Sequence, residues 1–595
     1  MFLRIDRSAG FLDSSEFALS VTDGSLLHPP SYPLTFLVLR AAPVILPFAD
    51  KIVAAKMIQV IISSSALFFF FLLTGFFSRN IFLRLAAVLL IFFGRAFQFY
   101  AVNLECYAMF FFFTAFFFWA YFGNRRNSGY FNIALFAFAG GIVSHPLFIL
   151  LIPFVLSLKP PTKPAPLLTA FAFILPFLSY LVLIPASAKT PLLNWEAPSN
   201  PYNLLRILIR RGYSSTTFEI SPANILTFGT EVLLQSGGLI LIWFAVMAKK
   251  IKREHVFILT YLFCLGLFFK ADKKIFDWTA FVFPVLCMTI PEVSANMILG
   301  KKGKVLLAAA ALFLFIGNLP ITGLRLNGYE KAFVSDIYSR IEEPRTFIFA
   351  DEDSRAFLLS YYFVKEKNQK IPVITTLLRH KWYRDSLAKY GKVKMPEWEG
   401  QAIREYAFLM MSENGIENAY VTSYLYDEFS KEGEEMPHFI VVKITRSGFA
   451  LSPFSRIEFI SKKRSGINFL SNLYENYLGY ILNGAKYHAR KGDYPTALRY
   501  LDLIENPRWE DIYVRSTVYL ESGRPSDAVH GFIKVLELQP RHKMSHIGLI
   551  RALLASGATE AAEKAYRKCI SVFPSDEALK RHLEGFFTRN RPYSK

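Results

Sequence analysis

The chain has little of what marks several common functions. Its 595 residues include only 4 cysteines (Cys106, Cys264, Cys287 and Cys569), with no CxxC and no Cys/His spacing of a zinc site. No disulfide framework and no structural zinc are expected, and no metal ligands are assigned. No nucleic-acid-binding motif is present and the basic residues are scattered, so the net charge of +20 is read as loop topology and attraction to anionic headgroups. The opening Met1-Phe2-Leu3-Arg4 leads straight into polar sequence without the apolar run of a signal peptide, and none is expected.

Apolar sequence is abundant: 53% of the residues are hydrophobic and 60 are Phe. They concentrate before about residue 323, after which the sequence reads as water-exposed. This division predicts a polytopic α-helical membrane domain over 1–325, followed by soluble domains. Spanning runs are expected near 52–77, 80–98, 107–122, 165–187, 224–248, 255–270, 275–298 and 304–323. Residues 130–158 form one apolar run broken by Ser144-His145-Pro146. It reads either as one helix kinked at Pro146 or as two half-length helices in a hairpin.

The positive-inside rule helps to choose. Arg79, Arg125/Arg126, Lys159/Lys163, Lys249–Arg253 and Lys301/Lys302/Lys304 all stay on the cytoplasmic side only if residues 130–158 go in and come back. His145 is then at the hairpin tip, on the far side. The same alternation puts Asp13–Pro33, Asn103-Leu104-Glu105, the loop at 188–222, Asp272-Lys273-Lys274 and everything after 323 on that far side. Residues 34–49, with Arg40 and the neighbouring prolines Pro33, Pro43 and Pro47, are expected to be interfacial or re-entrant. The far-side placement of Asp13 calls for a preceding span, so an apolar segment upstream of Met1 is expected.

Two soluble parts are expected. Residues 326–465 hold short β-type runs at 346–350, 372–375, 419–422 and 439–442 with helical patterns between them, a small α/β domain. Residues 466–595 are helical and periodic. Gly523/Gly557, Ala528/Ala562, Phe532/Tyr566 and Pro540/Pro574 share a 34-residue offset, and Gly492, Ala497 and Leu501 mark a shorter or divergent earlier unit. This order of Gly, Ala, aromatic and Pro resembles tetratricopeptide repeats and implies a small α-solenoid, a form that commonly offers a binding surface.

The chemistry-bearing residues gather at one membrane face. Asp13-Ser14-Ser15-Glu16-Phe17 and His28-Pro29-Pro30-Ser31-Tyr32-Pro33 put two carboxylates, a histidine and a rigid turn beside the first span. Sugar transfer from a polyprenyl-phosphate carrier needs such groups. A carboxylate deprotonates the acceptor hydroxyl, basic side chains stabilise the departing phosphate, and half-length helices leave a groove for the lipid.

These two segments resemble the D-S-G-E-F…H-P-P-G-Y-P pattern of the domain of unknown function 2723 family. Its members are GT-C-type membrane glycosyltransferases related to a eukaryotic protein O-mannosyltransferase that also carries tetratricopeptide repeats. The likeness continues through Asn103-Leu104-Glu105-Cys106-Tyr107-Ala108 (family E-V-Y-A) and Ser144-His145 (family N-H-H). It extends to Asn194-Trp195 with Arg210-Arg211-Gly212-Tyr213, and to Ala350-Asp351-Glu352-Asp353 (family G-D-N-D). Ser15 and Ser31 replace family glycines, and Ser144 an asparagine. Family members begin with a helix before the first motif, so the resemblance too leads to the expectation of a preceding helix.

The resemblance implies a GT-C-like fold and makes one of Asp13 and Glu16 the general base, Asp13 first, with Glu16 binding the acceptor or orienting Asp13. It implies His28, His145, Arg210, Arg211 and Lys273 for the donor phosphate. Tyr32, Glu105, Tyr107, Trp195 and Tyr213 would support the loops or the acceptor. The implied reaction moves mannose or another hexose from a polyprenyl-phosphate donor to a protein or glycan hydroxyl. It would take place on the extracytoplasmic face of, by expectation, a bacterial inner membrane, without a cofactor. A protein partner on the repeats is possible in this reading, and nucleic acid is not a partner. Two other classes stay open: a transporter or flippase of a lipid-linked glycan, and a non-catalytic scaffold working through its repeats.

Overall fold

The computed structural model describes residues 13–161, 165–208, 239–249, 251–268, 280–296, 329–339, 341–350, 353–422, 441–445, 448–450, 484–486, 488–502 and 507–589, together with isolated positions between and before them. It divides into two compact units, Met1–Glu417 and Asn418–Lys595.

The first unit begins with α1 (Asp13–Asp23), whose first turn carries Asp13 and Glu16 where the positive end of the helix dipole favours acids. Gly24 ends it at φ +85°, its N–H returning to the Ser20 carbonyl. The Arg40 guanidinium, from α2 (Pro33–Ile45), donates to the Ser20 and Val21 carbonyls and closes the same helix end. Thus α1 and α2 are tied together before any long helix begins. At 13 residues α2 is too short to span, and Val44, Ile45 and Phe48 at its end are exposed, in keeping with an interfacial segment.

Among the described residues, three apolar helical stretches are long enough to cross a bilayer. They are α3 (Lys51–Thr74), α6 (Tyr107–Arg126) and the run Pro166–Ala188. Only 17% of the apolar window of Pro166–Ala188 is buried, so its Leu and Phe side chains need an apolar medium around them. The run expected at 80–98 is instead α4 (Ile81–Phe92) and α5 (Arg95–Tyr100), because Gly94 adopts an extended backbone between them. Within the run expected at 275–298, the described residues form a 3-10 turn, Ala280–Val282, and a helix, Phe283–Asn296. The second half of the run expected at 224–248 is a helix, Leu239–Lys249, and most of 304–323 lies outside the described residues.

Residues 130–158 fold back on themselves. Helix α7 (Phe131–Ser144) stops at His145, whose φ of −161° and ψ of 130° break the helix. A 3-10 stretch, Pro146–Leu151, and a short helix, Ile152–Leu156, then return along it. The return ends beside the start. Asn124 Nδ2 donates to the Lys159 carbonyl at 2.9 Å, and Lys159 N–H to Asn124 Oδ1 at 2.8 Å. Arg126 and Lys159 therefore share one end and His145 is the tip. Close packing at glycine makes the turn possible: a Cβ on Gly141 would meet the Phe148 ring at 2.4 Å. Gly141→Ala is expected to cost about 1–3 kcal/mol through overpacking. A thermal unfolding midpoint in detergent equal to that of the native chain would count against this.

Strands β1 (Thr346–Ala350) and β2 (Lys370–Ile374) pair in parallel, Thr346 opposite Lys370. The intervening helix Asp353–Glu366 packs on α1, so this βαβ element lies at the α1 end of the helical region. In the second unit, β3 (Asn418–Thr422), β4 (Val441–Thr445) and β5 (Gly448–Ala450) form an antiparallel meander. Beyond it, helices Trp509–Glu521, Pro525–Leu538, Lys543–Ala555 and Thr559–Val572 pack each against the next. Gly523 and Gly557 take left-handed φ of +76° and +80° at equivalent turns, and Ala528 and Ala562 are fully buried at equivalent crossings. The unit is a helical repeat region.

Candidate active site at the α1 end of the helical domain

Glu16 is fully buried one turn into α1, and both carboxylate oxygens are engaged. Trp195 Nε1 donates to Oε1 at 2.6 Å, and His28 Nδ1 meets Oε2 at 2.6 Å. The other His28 nitrogen, Nε2, is 3.1 Å from the Tyr32 hydroxyl. Residues 179 positions apart are brought together by a short backbone seam. Leu26 N–H donates to the Leu193 carbonyl at 2.7 Å, Leu193 N–H to Ser25 Oγ at 3.1 Å, and Leu192 N–H to Asp23 Oδ2 at 3.3 Å.

The Pro29-Pro30 turn sets the Tyr32 ring. Ser31 and Tyr32 adopt left-handed φ of +68° and +40°, each at a cost of about 1–2 kcal/mol for a side-chain-bearing residue. Ser31 replaces a family glycine here, and its Oγ bond to the Leu27 carbonyl at 2.9 Å offsets part of that cost. The Tyr32 ring then stacks on His145, centroids 6.0 Å apart, from the tip of the returning hairpin. Tyr107 stacks on His145 at 6.2 Å and Phe281 approaches it at 4.6 Å. His145 Nδ1 accepts the Leu147 N–H at 3.2 Å.

Glu105, also buried, accepts from Ser14 Oγ at 3.1 Å, next to Asp13 on α1. Its backbone carbonyl accepts from Gln59 Nε2 at 2.7 Å. Asp13 heads α1 half-buried, and among the described residues its carboxylate takes no hydrogen bond. The structure thus brings together Asp13, Glu16, His28, Tyr32, Glu105, Tyr107, His145 and Trp195. Arg210, Arg211, Tyr213 and Lys273 lie outside the described residues, as do Asp351 and Glu352. No group of three or more metal-ligating side chains occurs among the described residues.

The sequence reading passed over three residues at this end, two of which carried a signal. Lys56 and Gln59 are buried one turn apart on α3, polar residues in an otherwise apolar span, a pattern that by itself marks a functional candidate. Trp382 approaches Trp195 at 5.1 Å from the start of helix Lys381–Gly391, and no local pattern in the sequence points to it.

Burial pushes the Glu16 carboxyl above its ordinary range. The charge and hydrogen bond of His28 pull it back, the Asp13 charge adds to the rise, and the Trp195 N–H opposes it. With a raised folded value, the folded chain holds more protons than the unfolded one between the two values. Stability from this group is present below the unfolded value and is lost as pH rises through the folded one. Glu16→Gln, which cannot ionise, is expected to flatten that decline. Unfolding midpoints followed upward from pH 4.5 check this, and equal slopes for the two proteins would refute it.

Residues 13–159 match a known family, the protein O-mannosyl-transferase TMEM260 N-terminal domain. This segment belongs to that family. The TMEM260-type segment holds every assembled polar residue except Trp195, and it ties the chain to a membrane function in sugar transfer. A curated protein, the tetratricopeptide repeat and J domain-containing co-chaperone DNJ1 of Fusarium oxysporum f. sp. lycopersici, is 34% identical over 89 residues. That match covers 14% of this chain and 17% of the co-chaperone, so the chain spans under a fifth of that relative's length. No solved structure matches.

Proposed function

We propose that the chain transfers a hexose, mannose among the candidates, from a polyprenyl-phosphate donor to a hydroxyl of a protein or glycan. Transfer occurs at the extracytoplasmic face of its membrane. The observation that carries the reading is the half-buried Asp13 beside a Glu16 whose two oxygens are occupied by His28 and Trp195. This splits the two carboxylates by role. Asp13 has room for a substrate and takes the acceptor proton. Glu16 positions His28, and through it Tyr32.

In the step, the acceptor oxygen attacks the anomeric carbon as its proton passes to the Asp13 carboxylate. The bond from that carbon to the phosphate oxygen breaks, and the electron pair leaves with the polyprenyl phosphate. His145, at the tip of the hairpin, is proposed to bind the donor phosphate. Arg210, Arg211 and Lys273 are proposed for the same role from the sequence. The aromatic side chains of Tyr32, Tyr107 and Phe281 hold His145 in place.

The GT-C-like fold, the division at 325 and 465 and the tetratricopeptide character of the C-terminal repeats belong to the same proposal. The repeats would hold an acceptor or partner protein. A flippase would need its polar groups near the bilayer midplane, whereas here they gather at one end of α3 and α6. The test is to incubate membranes containing the full chain with labelled polyprenyl-phosphate mannose and polyprenyl-phosphate glucose. Label is expected in a protein or glycan fraction. Movement of the intact lipid between leaflets, with no label transferred, would favour the transporter instead.

A further inference from the structure

At the other end of the same helices lies a cavity of about 380 Å³. Helices α3 and α6 connect the two places. Gln59 and Tyr107 belong to the Glu16 cluster, whereas Phe76 and Phe77 follow the end of α3 and Phe122, Arg125 and Arg126 end α6. From Tyr107 to Arg125 the helix rises about 27 Å at 1.5 Å per residue. That is close to the ~30 Å thickness of a hydrocarbon core. With the Glu16 cluster at one headgroup level, this cavity is at the other.

Its carboxylates are already held. Glu254 Oε1 takes Arg125 at 2.9 Å, Arg253 Nε at 3.1 Å and the Tyr121 hydroxyl at 3.1 Å. Glu292 takes Trp243 Nε1 at 2.9 Å, His255 Nε2 at 2.8 Å and the Lys252 ammonium. Arg126 donates to the Phe76 carbonyl at 3.2 Å and lies over the Phe76 ring. A guanidinium carries five N–H donors, so Arg125 and Arg126 retain donors beyond these bonds. With Lys252, the lining has three cations against two carboxylates, a positive surplus next to an apolar wall of Phe76, Phe77, Phe122 and Met288.

We propose that this cavity binds the phosphodiester headgroup of an anionic phospholipid, with the phosphate between Arg125, Arg126 and Lys252. Planar guanidinium forks match phosphate oxygens in pairs. The rings beside them suit the glycerol and first methylenes of the same molecule. At headgroup depth the phosphodiester is the abundant anion. The site goes beyond the sugar-transfer reading and shares no residue with it.

The test uses the purified full chain in detergent, titrated with phosphatidylglycerol, phosphatidylcholine or inorganic phosphate. Bound lipid is read by native mass spectrometry and the unfolding midpoint by thermal scan. Phosphatidylglycerol is expected to stay bound and raise the midpoint, and the other two to do neither. Arg126→Gln removes an exposed side chain and leaves folding intact. It is expected to weaken phosphatidylglycerol binding about tenfold, the loss of one charge-assisted bond. Arg126→Lys restores part of that binding. An equal response to inorganic phosphate would overturn the lipid as source. Equal binding of phosphatidylcholine, or unaltered binding by both Arg126→Gln and Arg125→Gln, would overturn the site. Either failure leaves transfer by the Glu16 end untouched.

Discussion

Asp13→Asn is expected to reduce sugar transfer by about 10²–10⁴-fold, the usual contribution of a general base, while the chain folds and inserts normally. The variant keeps the shape and polarity of the side chain and removes only its capacity to accept the acceptor proton. Because Asp13 is half-buried and takes no hydrogen bond among the described residues, little packing depends on it. The measurement is label transfer from a polyprenyl-phosphate sugar, with the unfolding midpoint followed in parallel. Near-native turnover would move the proton-accepting role away from Asp13. Near-native turnover in both Asp13→Asn and Glu16→Gln would remove carboxylate catalysis from this site altogether.

Glu16→Ala is expected to act in the opposite manner, with a large loss of stability. Its two oxygens satisfy Trp195 Nε1 and His28 Nδ1, both in buried side chains. Removing them takes away the acceptor of Trp195 Nε1 and the partner of His28 Nδ1, and leaves a gap at a fully buried position of α1. Leaving a buried polar group without its partner typically costs about 1–3 kcal/mol for each group. The seam that joins residues 24–26 to 192–195 should loosen with it, because Trp195 loses its anchor. Glu16→Gln retains a carbonyl oxygen for Trp195 and should cost less. A midpoint for Glu16→Ala equal to that of Glu16→Gln would show that the buried partners do not depend on this side chain.

These opposite expectations for two acids three positions apart show what sequence and structure each decide. Asp13 and Glu16 look alike in the sequence: both are acids in the first turn of one short helix. A helix places residues three apart on nearly the same face, so spacing could not separate them. What separates them is the strand of chain that arrives from residues 192–195 and covers Glu16 but not Asp13. No local pattern encodes that arrival, since it depends on hydrogen bonds between segments almost 170 positions apart.

The hairpin at 130–158 shows the same division. Length and basic loops made a return path the better reading, but Ser144-His145-Pro146 alone was compatible with a kink. The paired bonds between Asn124 and Lys159, and the room left by Gly141 for Phe148, decide it. The hairpin in turn brings His145 to Tyr32 and Tyr107. Conversely, the break at Gly94 was missed in the run 80–98, because hydropathy counts apolar residues and does not register a single extended residue.

By itself the sequence determined the membrane character, the repeated helices with their glycine turns and the two opening motifs. All three depend on periodicity or composition, which are properties of short stretches. Tertiary structure alone decided which acid is accessible, which histidine is held by a carboxylate, and that Lys56 and Gln59 belong to the same end. It also created the cavity beside Arg125 and Arg126. The physical reason is that burial and hydrogen-bond partners at these positions come from segments far apart in the chain, and only their packing determines which polar groups remain open to a ligand.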